Sequence, residues 1–318
     1  MYNRRTFIKT SAALATGLIA DSTWANERAS FSSVPPKTGA LRIGAPTYFS
    51  DDDPEAWARN AREQGYRAVY APKVSLNDTQ RIKAIREAVN RNDLIIAEVG
   101  RWVNMLEADP AKRADNIKYV TEGLALADEL DACCCVNISG SYNPEKWDGA
   151  HPKNVSEACY DETVGNVRKI IDAVKPKRSK FALEMMGWVI PDTADSYLRL
   201  IKAIDRQSFG VHVDVCNMIN SPDKFWNTTR LINDVFDKLG PMILSAHAKD
   251  LRWLPAANIH FEECVIGEGA IDFATYMKRL VALKQDVPLM IEHMKNQEEY
   301  LKCRDRLFKV ASETGITY

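Results

Sequence analysis

Residues 180–215 read KFALEMMGWVIPDTADSYLRLIKAIDRQSFGVHVDV. The stretch opens and closes with short, mostly apolar runs, 180–186 and 209–215, and each has the length and composition of a buried strand. Between them, residues 192–205 have the length and amphipathic pattern of a helix, with Asp192 in the first turn. A strand, a helix and a second strand in this order predict two parallel strands of one sheet, because parallel neighbours require a crossover connection.

The same alternation continues along the chain from residue 41 onward. Its strand-like runs are apolar on both faces, which is typical of a parallel sheet that is covered on both sides. Eight strands that alternate with eight helices predict an α/β fold, a (β/α)8 TIM barrel that forms a single domain over 41–318. An open doubly wound sheet is the alternative, but no glycine-rich turn follows the first predicted strand. The predicted strands are 41–48, 67–72, 94–100, 132–139, 180–186, 209–215, 242–248 and 288–294, and the predicted helices are 54–64, 77–91, 110–130, 154–174, 192–205, 223–239, 272–285 and 296–313.

The amino-terminal part of the chain has a different character. Arg4 and Arg5 precede a short, weakly apolar run, Ala12–Ala20, that is too short to span a bilayer. With small residues at a cleavage site near its end, the segment 1–25 resembles a twin-arginine signal peptide, and 26–40 has the composition of a flexible linker. The resemblance implies export of the folded protein to the periplasm, whereas the alternative is a chance arginine pair in a cytoplasmic amino terminus.

The composition argues against several classes of partner. The 318 residues carry a formal net charge of −1 and no basic block, so we expect neither nucleic acid nor an anionic membrane surface as a partner. No second apolar stretch approaches transmembrane length, so stable membrane insertion is not expected. The seven cysteines are odd in number, and Cys133, Cys134 and Cys135 are consecutive, a pattern that indicates buried hydrophobic residues rather than disulfides or a zinc site.

Four successive predicted strands, the fifth to the eighth, end in polar residues: Glu184, Asp214, His247 and Glu292. In a barrel, neighbouring strand ends converge at the carboxyl-terminal rim, where barrel enzymes carry their active sites. Three carboxylates that converge at one rim repel one another unless a cation lies between them. Three carboxylate oxygens and one imidazole nitrogen suit one divalent metal ion, with manganese, magnesium or cobalt favoured and zinc also acceptable.

The motifs around these residues are VDVCN (213–217), HAKD (247–250), GEGAIDF (267–273) and IEH (291–293). Together with the four strand ends, they are similar to the xylose isomerase-like superfamily of sugar isomerases and epimerases, which includes ketose 3-epimerases and inosose dehydratases. The resemblance implies one divalent metal ion that chelates two neighbouring oxygens of a hydroxy-ketone and is held by Glu184, Asp214, His247 and Glu292. It also implies that Glu184 and Glu292 act as the acid/base pair and move a proton through a cis-enediolate.

Two positions depart from the ketose 3-epimerases of this superfamily. Those enzymes carry a second histidine three residues after the aspartate ligand, where this chain has Asn217. They also carry a further glutamate six residues after the first ligand, where this chain has Ile190. Both positions contact substrate in those enzymes, so the departures favour a substrate other than a simple free ketose.

Further side chains at the predicted rim are candidates for substrate binding: Glu98, Trp102, Asn137, Trp188, Asn217, Lys249 and Arg252. For Lys249, a contact with a substrate oxygen competes with a salt bridge to Asp250, and for Glu98 a substrate hydroxyl competes with a structural ion pair. The two tryptophans can stack on a sugar ring or cover the core. We expect His212 to be a hydrogen-bonded core residue, and His293 to point away from Glu292 or to lie at the rim if the strand ends before it.

These observations predict a divalent-metal-dependent isomerase or epimerase that acts on a small carbohydrate, either a sugar or a keto-sugar derivative. The alternative is a lyase or dehydratase of the same superfamily, for example one that eliminates the leaving group from a 3-keto-glycoside. An endonuclease IV-like nuclease is disfavoured by the five histidines and the near-neutral charge, and a non-catalytic binding barrel is disfavoured by the full ligand set. The oligomeric state is left open, a homo-oligomer being compatible with the sequence.

Overall fold

A computed structural model describes residues 39–318, so the predicted signal peptide, 1–25, and nearly all of the predicted linker, 26–40, lie outside the described residues. The described part of the chain contains the strands β1 (Ile43–Ala45), β2 (Ala68–Tyr70), β3 (Ile95–Gly100), β4 (Cys134–Asn137), β5 (Lys180–Glu184), β6 (Phe209–Asp214), β7 (Ile243–Ala248), β8 (Asp250–Trp253), β9 (Phe261–Cys264) and β10 (Leu289–Ile291). All of these except β8 and β9 pair in parallel and close into a barrel in the order β1–β10–β7–β6–β5–β4–β3–β2. The predicted (β/α)8 barrel is therefore confirmed.

Helices connect the barrel strands and cover the outside of the sheet. Within residues 39–318 they are α1 (Pro54–Glu63), α2 (Thr79–Arg91), α3 (Pro110–Leu130), α4 (Glu157–Val174), α5 (Ala194–Ile204), α6 (Pro222–Trp226), α7 (Thr228–Leu239), α8 (Phe273–Ala282) and α9 (Gln297–Thr314). The prediction of one helix over 223–239 was wrong, because the backbone of Asn227 leaves the helical region and its side-chain amide donates to the carbonyl of Asp223 at 2.8 Å. None of the helices in this part of the chain has the length and apolar content needed to cross a membrane.

Side chains that cap the helices explain where two of them begin. Asp53 Oδ1 accepts the backbone N–H groups of the first turn of α1, and Pro54 occupies the first helical position. Helix α5 begins after Thr193 rather than at Asp192, because Thr193 and Ser196 form a reciprocal capping box. The boundaries predicted from sequence therefore differ from the structure by only a few residues at these ends.

The register of β5, β6 and β7 decides which residues meet at the carboxyl-terminal rim. Glu184, the last residue of β5, is paired with His212, and Asp214, the last residue of β6, is paired with His247. Paired residues present their side chains to the same face of a sheet, and residues two apart on one strand share that face. The side chains of all four residues therefore point into the barrel.

The cysteines lie in apolar surroundings. All seven are free, and all except Cys133 are buried. Cys134 contacts Val136 and Ala182 on the interior face of the barrel, whereas Cys135 belongs to the layer between sheet and helices. Adjacent residues of β4 therefore point to opposite faces, in agreement with their interpretation as small buried hydrophobic residues.

The long predicted loop 251–271 contains a hairpin of the antiparallel strands β8 and β9 that was not predicted from the sequence. The loop that follows the hairpin is fixed by Asp250, whose carboxylate accepts the N–H groups of Gly267, Gly269 and Ile271 at 2.8, 3.0 and 3.1 Å. A Cβ atom on Gly269 would lie 2.2 Å from Asp250 Oδ1, so a larger residue does not fit there. The HAKD and GEGAIDF motifs are thus two halves of one hydrogen-bonded structure.

An ion-pair cluster lies at the amino-terminal end of the barrel, where Arg42 and Asp286 are buried and Asp93 is partly exposed. Arg42 Nε donates to Asp286 Oδ2 at 2.6 Å, and its guanidinium also pairs with Asp93 Oδ1 at 3.3 Å. Arg42, Asp286 and Asp93 lie one to three residues before the first residues of β1, β10 and β3. These ion pairs belong to the end of the barrel that stabilises the fold, whereas the active sites of barrel enzymes lie at the carboxyl-terminal end.

Candidate metal centre

The four strand-end residues converge at the carboxyl-terminal rim. Glu184, Asp214, His247 and Glu292 each offer one ligand atom, and these atoms all lie within 4.8 Å of one another. His247 Nδ1 is the common point, at 3.3 Å from Glu184 Oε1, 3.6 Å from Asp214 Oδ2 and 3.1 Å from Glu292 Oε2. Asp214 and His247 are fully buried, and Glu292 follows the end of β10 and retains slight exposure. The structure therefore brings together the set expected from the sequence.

Burial and neighbouring charges set the protonation of this cluster. Burial lowers the pKa of His247, but carboxylates led by Glu292 outweigh it and raise that pKa well above the ordinary value. Burial and the charge of Glu292 raise the pKa of Glu184. Burial would also raise the pKa of Asp214 and of Glu292, but the charges of Lys249 and His247 outweigh burial at both. The pKa of Asp214 is held well below its usual range, and the pKa of Glu292 is lowered to about 2. Without a bound cation, the protons of His247 and Lys249 neutralise the carboxylates.

Lys249 lies inside the cluster. Its Nζ is 2.8 Å from Asp214 Oδ2 and 2.7 Å from Glu292 Oε1. Asp250, which the sequence offered as its alternative partner, instead binds backbone N–H groups of the loop after β9. Burial lowers the pKa of Lys249, but the three carboxylates raise it well above the ordinary value, so the side chain is an ammonium ion.

Asn217 holds two of the carboxylates in position. Its side-chain amide donates to Glu184 Oε1 at 2.9 Å, and its backbone N–H donates to Asp214 Oδ1 at 3.1 Å. Its Oδ1 accepts from Lys249 Nζ at 3.0 Å. Asn217 therefore connects the carboxylates to Lys249, in addition to lining the cavity above them.

Glu98 lies beneath the cluster and contacts other core residues, in addition to lining the cavity. Its Oε1 is 3.2 Å from His247 Nε2, and its Oε2 is 2.9 Å from His212 Nε2 and 3.1 Å from Ser245 Oγ. Glu98 and both histidines are almost fully buried. The structural ion pair, one of the two alternatives for Glu98, is therefore present, and His212 has the core position expected for it.

The residues of the centre fit a divalent cation. Asp214 Oδ2 and Glu292 Oε1 are buried oxygens that accept no hydrogen bond of acceptable geometry, although Lys249 Nζ lies within ion-pair distance of both. Buried carboxylates are costly unless positive charge lies beside them; Lys249 supplies one such charge, and a divalent cation would supply more to the three carboxylates of the cluster. Three carboxylates and one imidazole are a ligand set for magnesium, manganese or a similar ion.

A cavity of about 1260 Å³ opens above the centre. Among the predicted substrate-binding residues, those that line it are Glu98, Trp102, Trp188, Asn217 and Lys249. Asn137 is fully buried, and its amide is used by the backbone N–H and carbonyl of Val103, at 3.2 and 3.0 Å. Arg252 lies on β8, where its Nε donates to Glu262 Oε1 at 2.6 Å. The structure does not place Asn137 or Arg252 among the residues that line the cavity.

Glu263, His293 and Trp147 are among the residues that line the cavity but were not assigned to substrate from the sequence. His293 follows the end of β10, has a positive φ of 61°, and lies 3.0 Å through Nδ1 from Glu263 Oε2. It occupies the rim, one of the two positions considered for it. Glu263 lies on the hairpin that was not predicted, so its direction could not be inferred. The sequence around a loop tryptophan such as Trp147 does not reveal whether its side chain binds a ligand or packs against the core.

Solved structures with the same fold include several related barrels. A xylose isomerase-like TIM barrel protein from Mycobacterium smegmatis, solved with magnesium, is 18% identical with a TM-score of 0.61, covering 86% of this chain and 97% of its own. A 3-keto-D-glucoside 4-epimerase from E. coli is 13% identical with a TM-score of 0.59, and the match covers 85% of this chain and 99% of the epimerase chain. A probable 3-DHS dehydratase from Bacillus anthracis is 15% identical with a TM-score of 0.60, and the match covers 85% of this chain and 98% of the dehydratase chain.

These identities demonstrate a shared fold and nothing more specific. A comparison with curated proteins found no match. A family model described as xylose isomerase-like TIM barrel matches residues 58–308, which is most of the chain. The protein belongs to the xylose isomerase-like TIM barrel family.

Proposed function

We propose that the protein is a divalent-metal-dependent isomerase or epimerase that acts on a sugar or keto-sugar derivative. The observation that carries the proposal is the approach of Glu184 and Glu292 to one atom, His247 Nδ1, at 3.3 and 3.1 Å, below a large cavity. Strands β5 and β10 are separated by β6 and β7 in the barrel, so the two carboxylates reach the centre from different sides. Two carboxylates in this position suit removal of a proton from one side of a carbon and its return from the other.

The chemistry requires stabilisation of a developing oxyanion and a base close to the reacting carbon. A divalent ion held by the four clustered side chains would supply the positive charge beside that oxyanion. Glu184 and Glu292 would transfer the proton through a cis-enediolate of the substrate. Asn217 and Lys249 keep the carboxylate oxygens oriented, through contacts of 2.9 Å to Glu184 and 2.7 Å to Glu292.

Aromatic side chains surround the position that the reacting group would occupy. The ring centres of Tyr70 and Trp102 each lie 6.5 Å from that of His247, and both residues line the cavity. Apolar surfaces on these sides limit the access of water to the cluster, which strengthens its electrostatic interactions. The same rings can stack on the C–H face of a sugar.

A lyase or dehydratase acting through the same proton removal is the second candidate. The specific observation in its favour is the cavity, since about 1260 Å³ leaves room for a leaving group beside the reacting sugar. The fold is also shared by a 3-keto-D-glucoside 4-epimerase and by a probable dehydratase, which supports both candidates to the same degree. The two reactions diverge only after the proton has left.

The test is an assay of the purified protein, loaded with Mn²⁺ or Mg²⁺, in deuterated water against ketoses and 3-keto-glycosides. Deuterium incorporation or epimerisation without a released aglycone supports the isomerase or epimerase. Release of the aglycone supports the lyase. Absence of exchange, epimerisation and release across the panel would contradict both candidates.

Variants make the assay specific for the proposed residues. Glu292→Gln keeps the size of the side chain but removes the base, and we expect it to abolish turnover. Arg252→Gln is the matched control, because Arg252 pairs with Glu262 and does not line the cavity. Full activity of Glu292→Gln would rule out the proposed acid/base pair.

A further inference from the structure

The cavity is larger than the proposed reaction on a single sugar ring requires. Its volume of about 1260 Å³ exceeds the range of roughly 300–1000 Å³ that encloses drug-sized ligands, and a monosaccharide is smaller than those ligands. The carboxylate and histidine cluster forms only the floor of this space, next to Tyr70 and Trp102. Space therefore remains above the position of the reacting ring.

Three consecutive loops at the rim each bring a tryptophan to this space. Trp102 follows β3, Trp147 follows β4 and Trp188 follows β5, and all three line the cavity. All three keep a large exposed fraction, 40% for Trp102, 39% for Trp147 and 66% for Trp188, and Trp102 lies deepest, next to His247. Large exposed aromatic surfaces inside a concave site are typical of ligand binding, because an indole face stacks on the C–H face of a sugar or on another ring.

The loops that carry Trp147 and Trp188 are fastened to each other. Asn154 is fully buried, and its side-chain amide donates to the backbone carbonyls of Trp188 and Gly149, both at 3.0 Å. The same side chain accepts the backbone N–H of Tyr142 at 3.1 Å. One amide thus fixes both loops, so the exposed indoles are attached to a defined backbone and need little ordering when a ligand binds.

Polar groups lie next to the aromatic surface. Lys146 and Asp148 flank Trp147 in sequence, line the cavity and form an ion pair at 3.6 Å. Asp148 Oδ1 is buried and accepts no hydrogen bond. An aromatic face beside charged donors and acceptors matches the chemistry of a sugar ring, which is apolar on its C–H face and polar at its hydroxyl groups.

The opposite wall comes from the hairpin. Ile259 and Phe261 line the cavity, and the hairpin follows β7. In the closed order of the barrel, β7 lies diametrically opposite β3, so the hairpin closes the side of the cavity away from the Trp102 loop. The outer part of the site is therefore a cleft with apolar groups on both walls.

We propose that Trp147 and Trp188 form a second subsite, which binds a ring joined by a glycosidic bond to the reacting sugar. The substrate class is then a glycoside of at least two rings rather than a free monosaccharide. The identity of the reacting ring rests on the proposed function. The existence of the subsite is a matter of binding alone, so it is tested by measuring ligand affinity without any turnover.

The experiment measures binding of glucose, cellobiose and phenyl β-D-glucoside to the full, Mn²⁺-loaded protein by isothermal titration calorimetry. We expect at least one of the two-ring probes to bind at least tenfold more tightly than glucose. Trp147→Ala and Trp188→Ala should each remove most of this preference and change the affinity for glucose less than twofold. Trp226→Ala is the matched control, because Trp226 is 73% exposed and does not line the cavity, and it should leave all affinities unchanged.

Equal affinity for one-ring and two-ring probes would overturn the subsite, as would failure of every two-ring probe to bind. A preference that survives in both tryptophan variants would overturn it as well. The retained affinity for glucose and an unchanged melting temperature verify that each variant is folded. Tight two-ring binding without deuterium exchange would count against the proposed reaction alone, whereas exchange without a two-ring preference would count against the subsite alone.

Discussion

Glu98 Oε1 lies 3.2 Å from His247 Nε2, on the side of the imidazole ring away from the carboxylates around Nδ1. The second oxygen of Glu98 is occupied by His212 at 2.9 Å and Ser245 at 3.1 Å, so the carboxylate is held at both ends. A carboxylate behind a histidine ligand fixes the orientation of the ring and makes the opposite nitrogen a better donor to a metal. We therefore regard Glu98 as a positioning residue for the centre.

Glu98→Gln should weaken metal binding by about 10- to 100-fold, because the amide has no negative charge to place behind the imidazole. The measurement is calorimetric titration of the chelator-treated protein with Mn²⁺. Ser245→Ala, which leaves the carboxylate in place, should lose much less affinity. Equal Mn²⁺ affinity in Glu98→Gln and the wild type would show that this carboxylate serves the core only.

Saturation of the centre should stabilise the fold. At a Mn²⁺ concentration about 100 times the dissociation constant, binding adds about 2.7 kcal/mol to the free energy of unfolding. For a domain of this size, that corresponds to a rise of about 5 °C in melting temperature. The thermal melt is compared with and without chelator, and Asp214→Asn should remove the difference. A melting temperature that does not respond to any divalent ion would contradict the assignment of the site.

Lys249→Met should lower the stability of the chelator-treated protein by about 3 kcal/mol, because the ammonium is the cation nearest to two buried carboxylates. Added Mn²⁺ should restore much of this loss, so the gap between the metal-loaded and metal-free melts should widen. Lys238→Met, at a partly exposed ion pair with Asp195, is the control and should change little. An unchanged gap in Lys249→Met would mean that the ammonium does not neutralise the cluster.

Asp250→Ala should destabilise the protein by about 3 kcal/mol, because it removes the acceptor for the N–H groups of Gly267, Gly269 and Ile271. Equilibrium unfolding in urea measures the change. Glu262→Ala removes only an exposed ion pair with Arg252 and should cost less than about 0.5 kcal/mol. If both variants unfold at the same urea concentration, the loop does not depend on this carboxylate.

The amino-terminal segment predicts export by the twin-arginine route. Replacement of both arginines, Arg4→Lys together with Arg5→Lys, should abolish export of the full chain, since the paired arginines carry the resemblance to that signal. The measurement is fractionation of a bacterial host followed by mass analysis of the processed protein. Lys9→Arg is the control and should be exported normally. Wild-type protein that stays in the cytoplasm at full length would contradict the prediction.

The features predictable from sequence depend on local chemistry. Runs that are apolar on both faces predict buried parallel strands, and the residue at the end of each run predicts what reaches the rim. For this reason the strand-end positions of Glu184, Asp214 and His247 follow from the sequence pattern, and the register of the barrel agrees with them. The hairpin of β8 and β9 was missed because its residues do not form an apolar run of the kind that marks the barrel strands.

The direct partners of the candidate site residues were decided by the tertiary structure. Asn137 was expected at the substrate but is used by the backbone of Val103, and Arg252 was expected at the rim but pairs with Glu262. Both positions lie near strand ends, and nothing in their immediate sequence reveals which group faces them.

The sequence by itself determined the barrel, the order of its strands along the chain and the four residue types at the ends of successive strands, because side-chain direction in a strand alternates along the chain. The tertiary structure alone decided that Glu98 stands behind His247, 149 positions away along the chain, and that Lys249 lies between Asp214 and Glu292. Such contacts depend on how the barrel closes and on shifts of register, such as the shift between Val211 and His212. A one-residue shift of register moves side chains by a whole position, and no local pattern records it.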